Sequence, residues 1–466
     1  MINKANASSR DQHIPNSVVT VANFFLILGA ILSLCMLPTV IYKFHYVRKA
    51  NPLLVWAGFT SAIASSGLFI TALRLKPRMK VNITLVTVSA IISVYTVELY
   101  LTISQLKDQL TQPIVMGDPA SIDKQGKLEV VRELREDGVD AYPSFIPGTF
   151  WTETHLQNKD IYPLGGISER VHVLCKEDNY WAKYESDEHG FRNPKGLYEP
   201  GKVDIAIIGD SFAEGACVHS DKTIAAVLRR WSYRVLNFGK SMNGPLLEFA
   251  TLTEYARPLT PQIVLWLYYE ENDLTDLNRE ASVPLLMKYF TEDRFSQDLT
   301  SRQNEIDEVL MEYVQHGMAA KDNEIMEAEG NAVAFDLNSI LELDHLREKL
   351  HLTLPTPTIP PPPIFKQIMK RADEMVSKWG GKLYFVYLPG HQRYRVDESF
   401  LYRDPKARDE VLKTITELDI SLIDIHREVF APHADPRSFF IEHYNEAGYR
   451  LVADAIAAKL WNDGFR

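Results

Sequence analysis

The chain has 466 residues, 46% of them apolar and 24% charged, an ordinary balance for a folded protein and a length sufficient for more than one domain. Its net charge of −11 conceals an asymmetry, because residues 1–80 hold nine Lys and Arg against Asp11 alone. The acidic remainder excludes a nucleic-acid partner, whose phosphates demand clustered Lys and Arg.

The basic N-terminal part reads as a membrane segment. Val18–Tyr42 is 25 residues without a charge, Leu53–Leu73 is 21, and Val81–Ile103 carries only Glu98. Each run is close to the ~20 residues that cross a bilayer. The first is too long for a cleaved signal peptide and lacks its small-residue cleavage pattern, so residues 1–106 are expected to be a membrane domain of three transmembrane helices in contact with lipid. Lys4, Arg10, Arg74, Lys76, Arg78 and Lys80 flank the runs on one side, against Lys43, Arg48, Lys49 and Lys107 on the other. That bias favours a cytoplasmic N-terminus, and three crossings then put the rest of the chain outside, in a bacterium the periplasm. Glu98 reads as a helix-end residue reaching the interface, or as a partner or proton-handling site.

Residues 107–200 have no strong period and read as a connecting lead-in. They contain an amphipathic helix around "GKLEVVRELREDG" and strand-like aromatic spacing in "YWAKYESDEHGFRNPKG". Asp187, Glu188 and His189 are adjacent on one short loop, a spacing that rarely lets ligands converge, so no metal is assigned. Cys35 falls in the first span, leaving Cys175 and Cys217 as either a disulfide or two buried thiols.

From residue 201 the pattern alternates. Apolar runs at 203–208, 235–238, 263–269, 383–388 and 421–425, separated in several places by helical stretches, define an α/β fold with a parallel sheet covered on both faces. An insertion at about 281–365 begins as helix, with Ile306, Val309, Leu310 and Val314 on one face. It ends in "TLPTPTIPPPP", which proline forces into an extended spacer. The final helix, near Asn445–Trp461, carries Leu451, Val452, Ala455, Ile456 and Leu460 on one face.

Ser211 of "VDIAIIGDSFAEG" lies just past the C-terminal end of the first of these strands, where open parallel sheets place their ligands. The local G-D-S-F-A is neither the G-x-S-x-G elbow nor a P-loop, and a helix N-cap would account for it equally well. A nucleophilic serine needs a base and donors for the oxyanion. Suitable parts follow in order: "LNFGKSMNGP" after the second strand, "YYEENDL" at the end of the third, and "EHYNEAGYRLVADAI" opening the last helix. His391 in "LPGHQRY" stands at the same edge and reads as a solvated loop residue.

This set of blocks resembles the SGNH (GDSL) hydrolase superfamily over about residues 201–280 and 366–466. The resemblance implies a flavodoxin-like three-layer α/β/α domain at 201–466 and a serine esterase needing no metal or organic cofactor. Ser211 would be the nucleophile and His443 the base, with an oxyanion hole from Ser211, Asn272 and a backbone amide at Met242 or Gly244. The departures are specific. Glu270 replaces the glycine of G-x-N-D, and Phe440 stands where D-x-x-H has its acid, leaving Glu442, Asp435 or Asp424 to orient the imidazole. Three functions fit: an esterase acting on an acylated glycan or lipid-linked saccharide; an O-acyltransferase using the same site with a membrane exporter of the acyl donor; and a degenerate domain that binds glycan or a partner.

Overall fold

A computed structural model describes residues 14–47, 52–111, 119–152, 161–177, 180–328, 340, 343–350, 360–394 and 405–465. The chain divides into two compact units, residues 1–108 with 334–357, and residues 109–333 with 358–466.

The first unit is built on three helices, α1 (Asn16–Val47), α2 (Pro52–Ala72) and α3 (Pro77–Thr111). Small residues let them approach. Gly29 leaves room for the Phe69 ring, and the Ser66 and Thr84 hydroxyls donate to the Ala30 and Ala22 carbonyls on α1. Two stretches, Asn16–Leu37 and Pro77–Ile103, are long and apolar enough to cross a bilayer, whereas the described apolar stretch of α2, Gly58–Ala72, is shorter. Three spans were expected, so the middle one falls short of that length test among the described residues. Glu98 is not a free helix-end residue: its carboxylate accepts the backbone N–H groups of His345 (3.1 Å) and Leu346 (2.8 Å) and sits 2.7 Å from His345 Nδ1. An acid at the start of a helix satisfies donors that have no intrahelical partner, and here it seats a short helix of the insertion, Asp344–Lys349, on α3. Most of the proline-rich stretch lies outside the described residues.

In the second unit the amphipathic stretch forms α4 (Pro119–Glu136). The expected lead-in is an integral part of the domain. It forms a three-stranded sheet of β1 (Ala141–Pro143), β2 (Val171–Glu177) and β3 (Tyr180–Glu185), in that order. Phe145, Phe150, Ile161, Leu164, Ile167 and Phe191 from the same region are buried in the main core. Asp187 is a latch for this region: its carboxylate accepts His189 N, Phe191 N, Asn193 Nδ2 and Tyr198 OH.

The main sheet is all parallel, with strands β4 (Ile205–Gly209), β5 (Val235–Asn237), β6 (Ile263–Tyr269), β7 (Lys382–Leu388) and β8 (Ser421–Asp424) in the order β5-β4-β6-β7-β8. This is the flavodoxin-like 2-1-3-4-5 order. Burial on both faces explains the continuous apolar runs: Ile205 and Ile207 join one layer of core, Ala206 and Ile208 the other. One face is covered by Ile224–Arg230 and the last helix, Glu446–Asn462, the other by Pro245–Thr251, Gln303–Ala328 and Pro363–Lys378.

Candidate active site

The site is assembled at the C-terminal edge of the sheet, around the reversal of strand order. After β4 the chain enters a four-residue helix, α5 (Ser211–Glu214), whose N-cap is Asp210, its carboxylate accepting the Phe212 N–H at 2.9 Å. Ser211 is therefore the first helical residue and its hydroxyl is free of capping duty. Gly215 ends the helix at φ 78°, a left-handed conformation suited to glycine. The loop after β5 passes so close that a Cβ on Gly239 would lie 2.5 Å from Ala213 Cβ and Glu214 N.

His443 enters from the turn before the last helix, which Asn445 caps through Gly448 N. Its Nε2 lies 2.9 Å from Ser211 Oγ, and its Nδ1 lies 2.6 Å from Glu177 Oε1. A carboxylate only accepts, so Nδ1 carries the proton and Nε2 is left to accept from the serine hydroxyl. The other carboxylate oxygen, Glu177 Oε2, accepts the backbone N–H groups of Glu442 and His443, each at 3.3 Å. Phe212 packs its ring 4.8 Å from that of His443. Burial pulls the imidazole pKa down, but the hydrogen bond and charge of Glu177 outweigh it and hold His443 above its ordinary value.

The expected orienting acids are thus corrected. Glu442 contributes its backbone N–H to Glu177, not its carboxylate to the ring. Asp424 ends β8 in an ion pair with Arg408, and the Asp435 carboxylate makes no hydrogen bond to His443 among the described residues. Phe440 explains the change. Its ring packs 5.7, 5.2 and 5.0 Å from those of Tyr394, Phe430 and Tyr444, so the place of the missing acid belongs to an aromatic cluster. The carboxylate arrives instead from the small sheet, on the last residue of β2.

The loop after β5 distinguishes the two backbone donors. Gly244 N–H is spent on Glu280, which also accepts Leu246 N and Leu247 N at the start of the next helix, and this removes Gly244 from the expected oxyanion set. Gly239, Lys240, Ser241 and Asn243 are likewise committed, to Asn237 Oδ1, Gly209 O, Glu214 Oε2 and Lys240 O. Met242 N–H, in a left-handed residue at φ 60°, has no acceptor among the described residues, and neither does Ser211 N–H. Gly148, from the segment between β1 and β2, would bring a Cβ within 2.2 Å of Met242 O, so only glycine lets that segment close on the loop. Asn272 donates one Nδ2 hydrogen to Asp276 Oδ2 at 2.9 Å and also supports the Asp210 carboxyl. Burial lifts Asp210 to about 6, Asp276 to about 7 and Glu280 to about 8.

Glu270, in place of the motif glycine, turns away to Arg393, Tyr387 OH and Gly390 N. His391 lies in the short turn His391–Tyr394 beyond β7. Behind α5, Glu214 and Lys240 form an ion pair with neither side chain exposed. Glu214 also accepts from Ser144, Tyr184, Ser241 N and Ser241 Oγ, tying α5, the small sheet and the Met242 loop to one carboxylate. Next to the site, Cys175 of β2 is bonded to Cys217, three residues beyond the end of α5, with Cα atoms 5.2 Å apart.

No protein-family model matches the chain, and no curated protein does. Among solved structures the chain is similar to a protein of the G-D-S-L lipolytic family from Desulfitobacterium hafniense, at 14% identity over 55% of this chain and 98% of that one, with a TM-score of 0.30. A two-domain esterase active on acetylated mannans aligns at 12% identity, 56% of this chain and 49% of that one, TM-score 0.30. An acetyl-xylooligosaccharide esterase from Geobacillus gives 14%, 58%, 98% and 0.30.

Proposed function

We propose that the protein is a membrane-anchored serine esterase of the SGNH type that cleaves acyl esters through an acyl-enzyme on Ser211. The observation that carries this reading is the unbroken relay from Glu177 through His443 to Ser211, at 2.6 and 2.9 Å. In the reaction, Ser211 Oγ attacks the acyl carbonyl while Nε2 takes its proton. The oxyanion is held by the Ser211 and Met242 amides, with Asn272 transferring to it the amide hydrogen that otherwise supports Asp210. The intermediate collapses as His443 returns the proton to the departing alcohol, leaving the acyl group on Ser211. A water then gives its proton to Nε2 and its oxygen to the carbonyl, and the second intermediate collapses as His443 returns that proton to Ser211 Oγ and the acid leaves.

The pairing of such a site with a membrane segment in one chain supports a cell-envelope substrate, an acylated glycan or lipid-linked saccharide. The Cys175–Cys217 disulfide supports an oxidising compartment for the second unit, hence a location outside the cytoplasmic membrane. The experiment is fluorophosphonate labelling of the full chain in detergent, beside Ser211→Ala. Wild type is expected to label and the variant not. A folded wild type that fails to label at Ser211 rules out the esterase. Incubation with an acetylated glycan then reads out the acceptor, since free acetate marks water and a newly acetylated second glycan marks a transferase.

A further inference from the structure

Glu177 is supplied from outside the five-stranded core, and what holds it in place is not the strand ladder alone. At the near end Glu177 accepts the Glu442 and His443 amides, each at a long 3.3 Å, and the buried polar anchor of the small sheet is at its other end. Tyr184, which pairs with His172 in the β2–β3 ladder, reaches Glu214 and Lys240, while Glu177 pairs with Tyr180 at the hairpin tip. From His172 to Glu177 is five residues of extended chain, about 16 Å at the rise of a strand. A tilt of ~5° at the anchor would move the tip by about 1.4 Å over that length. At the tip itself, Tyr180 packs its ring, tilted by 30°, 4.0 Å from that of His219, a contact without direction along the strand. The covalent link is two residues from Glu177. The Cys217 sulfur, a carboxylate oxygen of Glu177 and a ring nitrogen of His443 all lie within 4.8 Å of one another. The bond therefore joins the strand that bears the acid to the segment following the nucleophile helix, beside the acid–imidazole pair itself.

We propose that the Cys175–Cys217 disulfide is a positioning element of the reaction, clamping the hairpin tip so that Glu177 meets His443 Nδ1 while Ser211 meets Nε2. The inference rests on the esterase reading above. A misplacement of about 1 Å costs on the order of 10²-fold in rate, and complete loss of the orienting carboxylate costs on the order of 10⁴-fold. Removing the clamp belongs at the lower figure, because the carboxylate remains in the chain and still finds the ring part of the time.

The test uses the full-length protein in detergent with p-nitrophenyl acetate, comparing wild type, the Cys175→Ser/Cys217→Ser double variant, Glu177→Gln and the triple combination. Wild type reduced with a phosphine, its thiols counted, is a second route to the unclamped state. The expected result is a fall in kcat of roughly 10- to 100-fold with KM little changed. The acid limb of the pH profile should move toward lower pH, as His443 loses its carboxylate. Glu177→Gln should cost less in the unclamped background than in wild type. An unclamped protein whose kcat and acid limb match wild type overturns the proposal and leaves the esterase standing. So does a loss of activity that tracks loss of folded structure by circular dichroism. A wild type that does not label at Ser211 overturns both.

Discussion

At the scale of single residues, Glu177 has two consequences for pH. The imidazole it supports must be neutral to act as a base, and its pKa is held above the ordinary ~6.5. Activity is expected to be full at alkaline pH and to fall as pH drops through a value above 6.5. The same shift acts on stability with the opposite sense. A group whose folded pKa is raised contributes stability that is complete below its unfolded pKa and disappears as pH rises through the folded one. The His443–Glu177 pair therefore stabilises the fold most where the enzyme is least active. Glu177→Gln should lower kcat by between about 10² and 10⁴, the upper figure corresponding to ~5.5 kcal/mol of barrier. Its acid limb should shift down, and a kcat/KM profile from pH 5 to 9 checks both. A Glu177→Gln enzyme with wild-type kcat and limb removes Glu177 from the reaction.

At the scale of elements, Glu214 and Lys240 hold together three pieces that share no strand ladder: α5, the small sheet, and the loop bearing Met242. Burial opposes both charges. Even so, Tyr184 and Glu214 keep the lysine above its ordinary pKa, and Lys240 with Ser241 keeps the glutamate below its own. Breaking one side of a buried pair costs about 3–5 kcal/mol, since the remaining charge is left unmatched. Lys240→Met should lower Tm by on the order of 10 °C. Adding Glu214→Gln should recover part of that loss in a thermal melt, and an unchanged Tm in the single variant would show the pair to be dispensable.

The five strands of the core could be read from the chain because a sheet buried on both faces writes itself as continuous apolar runs. Ser211 and Asn272 were legible as well, each standing just past the end of such a strand, as was His443 at the opening of the last helix. Glu177 was not, because an acid that meets its histidine across 266 residues leaves no local period, and Phe440 occupied the only place where motif spacing directed attention. The available signal was the cysteines: if Cys175 is joined to Cys217, then Glu177, two residues on, is brought close to Ser211. Gly244 misled for a similar reason, since the Glu280 that takes its amide is 36 residues away.

At the scale of the whole chain, the disulfide bears on the number of membrane crossings. An even number would return the second unit to the side of the N-terminus, which the flanking charges favour as cytoplasmic, and there a disulfide is rare. Three crossings reconcile the charges with the bond, and require α2, although shorter in its apolar stretch, to span as well. A C-terminal alkaline phosphatase fusion should then be active and a C-terminal fluorescent protein that matures only in the cytoplasm should be dark; the reverse pattern defeats the three-span topology.

The chain also threads between its two units three times, near residues 108, 333 and 357. Ser211 and His443 lie on opposite sides of that excursion, in separate segments of the same α/β unit. No single proteolytic cut can therefore release an intact second unit from the first. Cleavage near 108 leaves the second unit joined in sequence to 334–357, and freeing it entirely takes three cuts and yields two chains, one with Ser211 and one with His443.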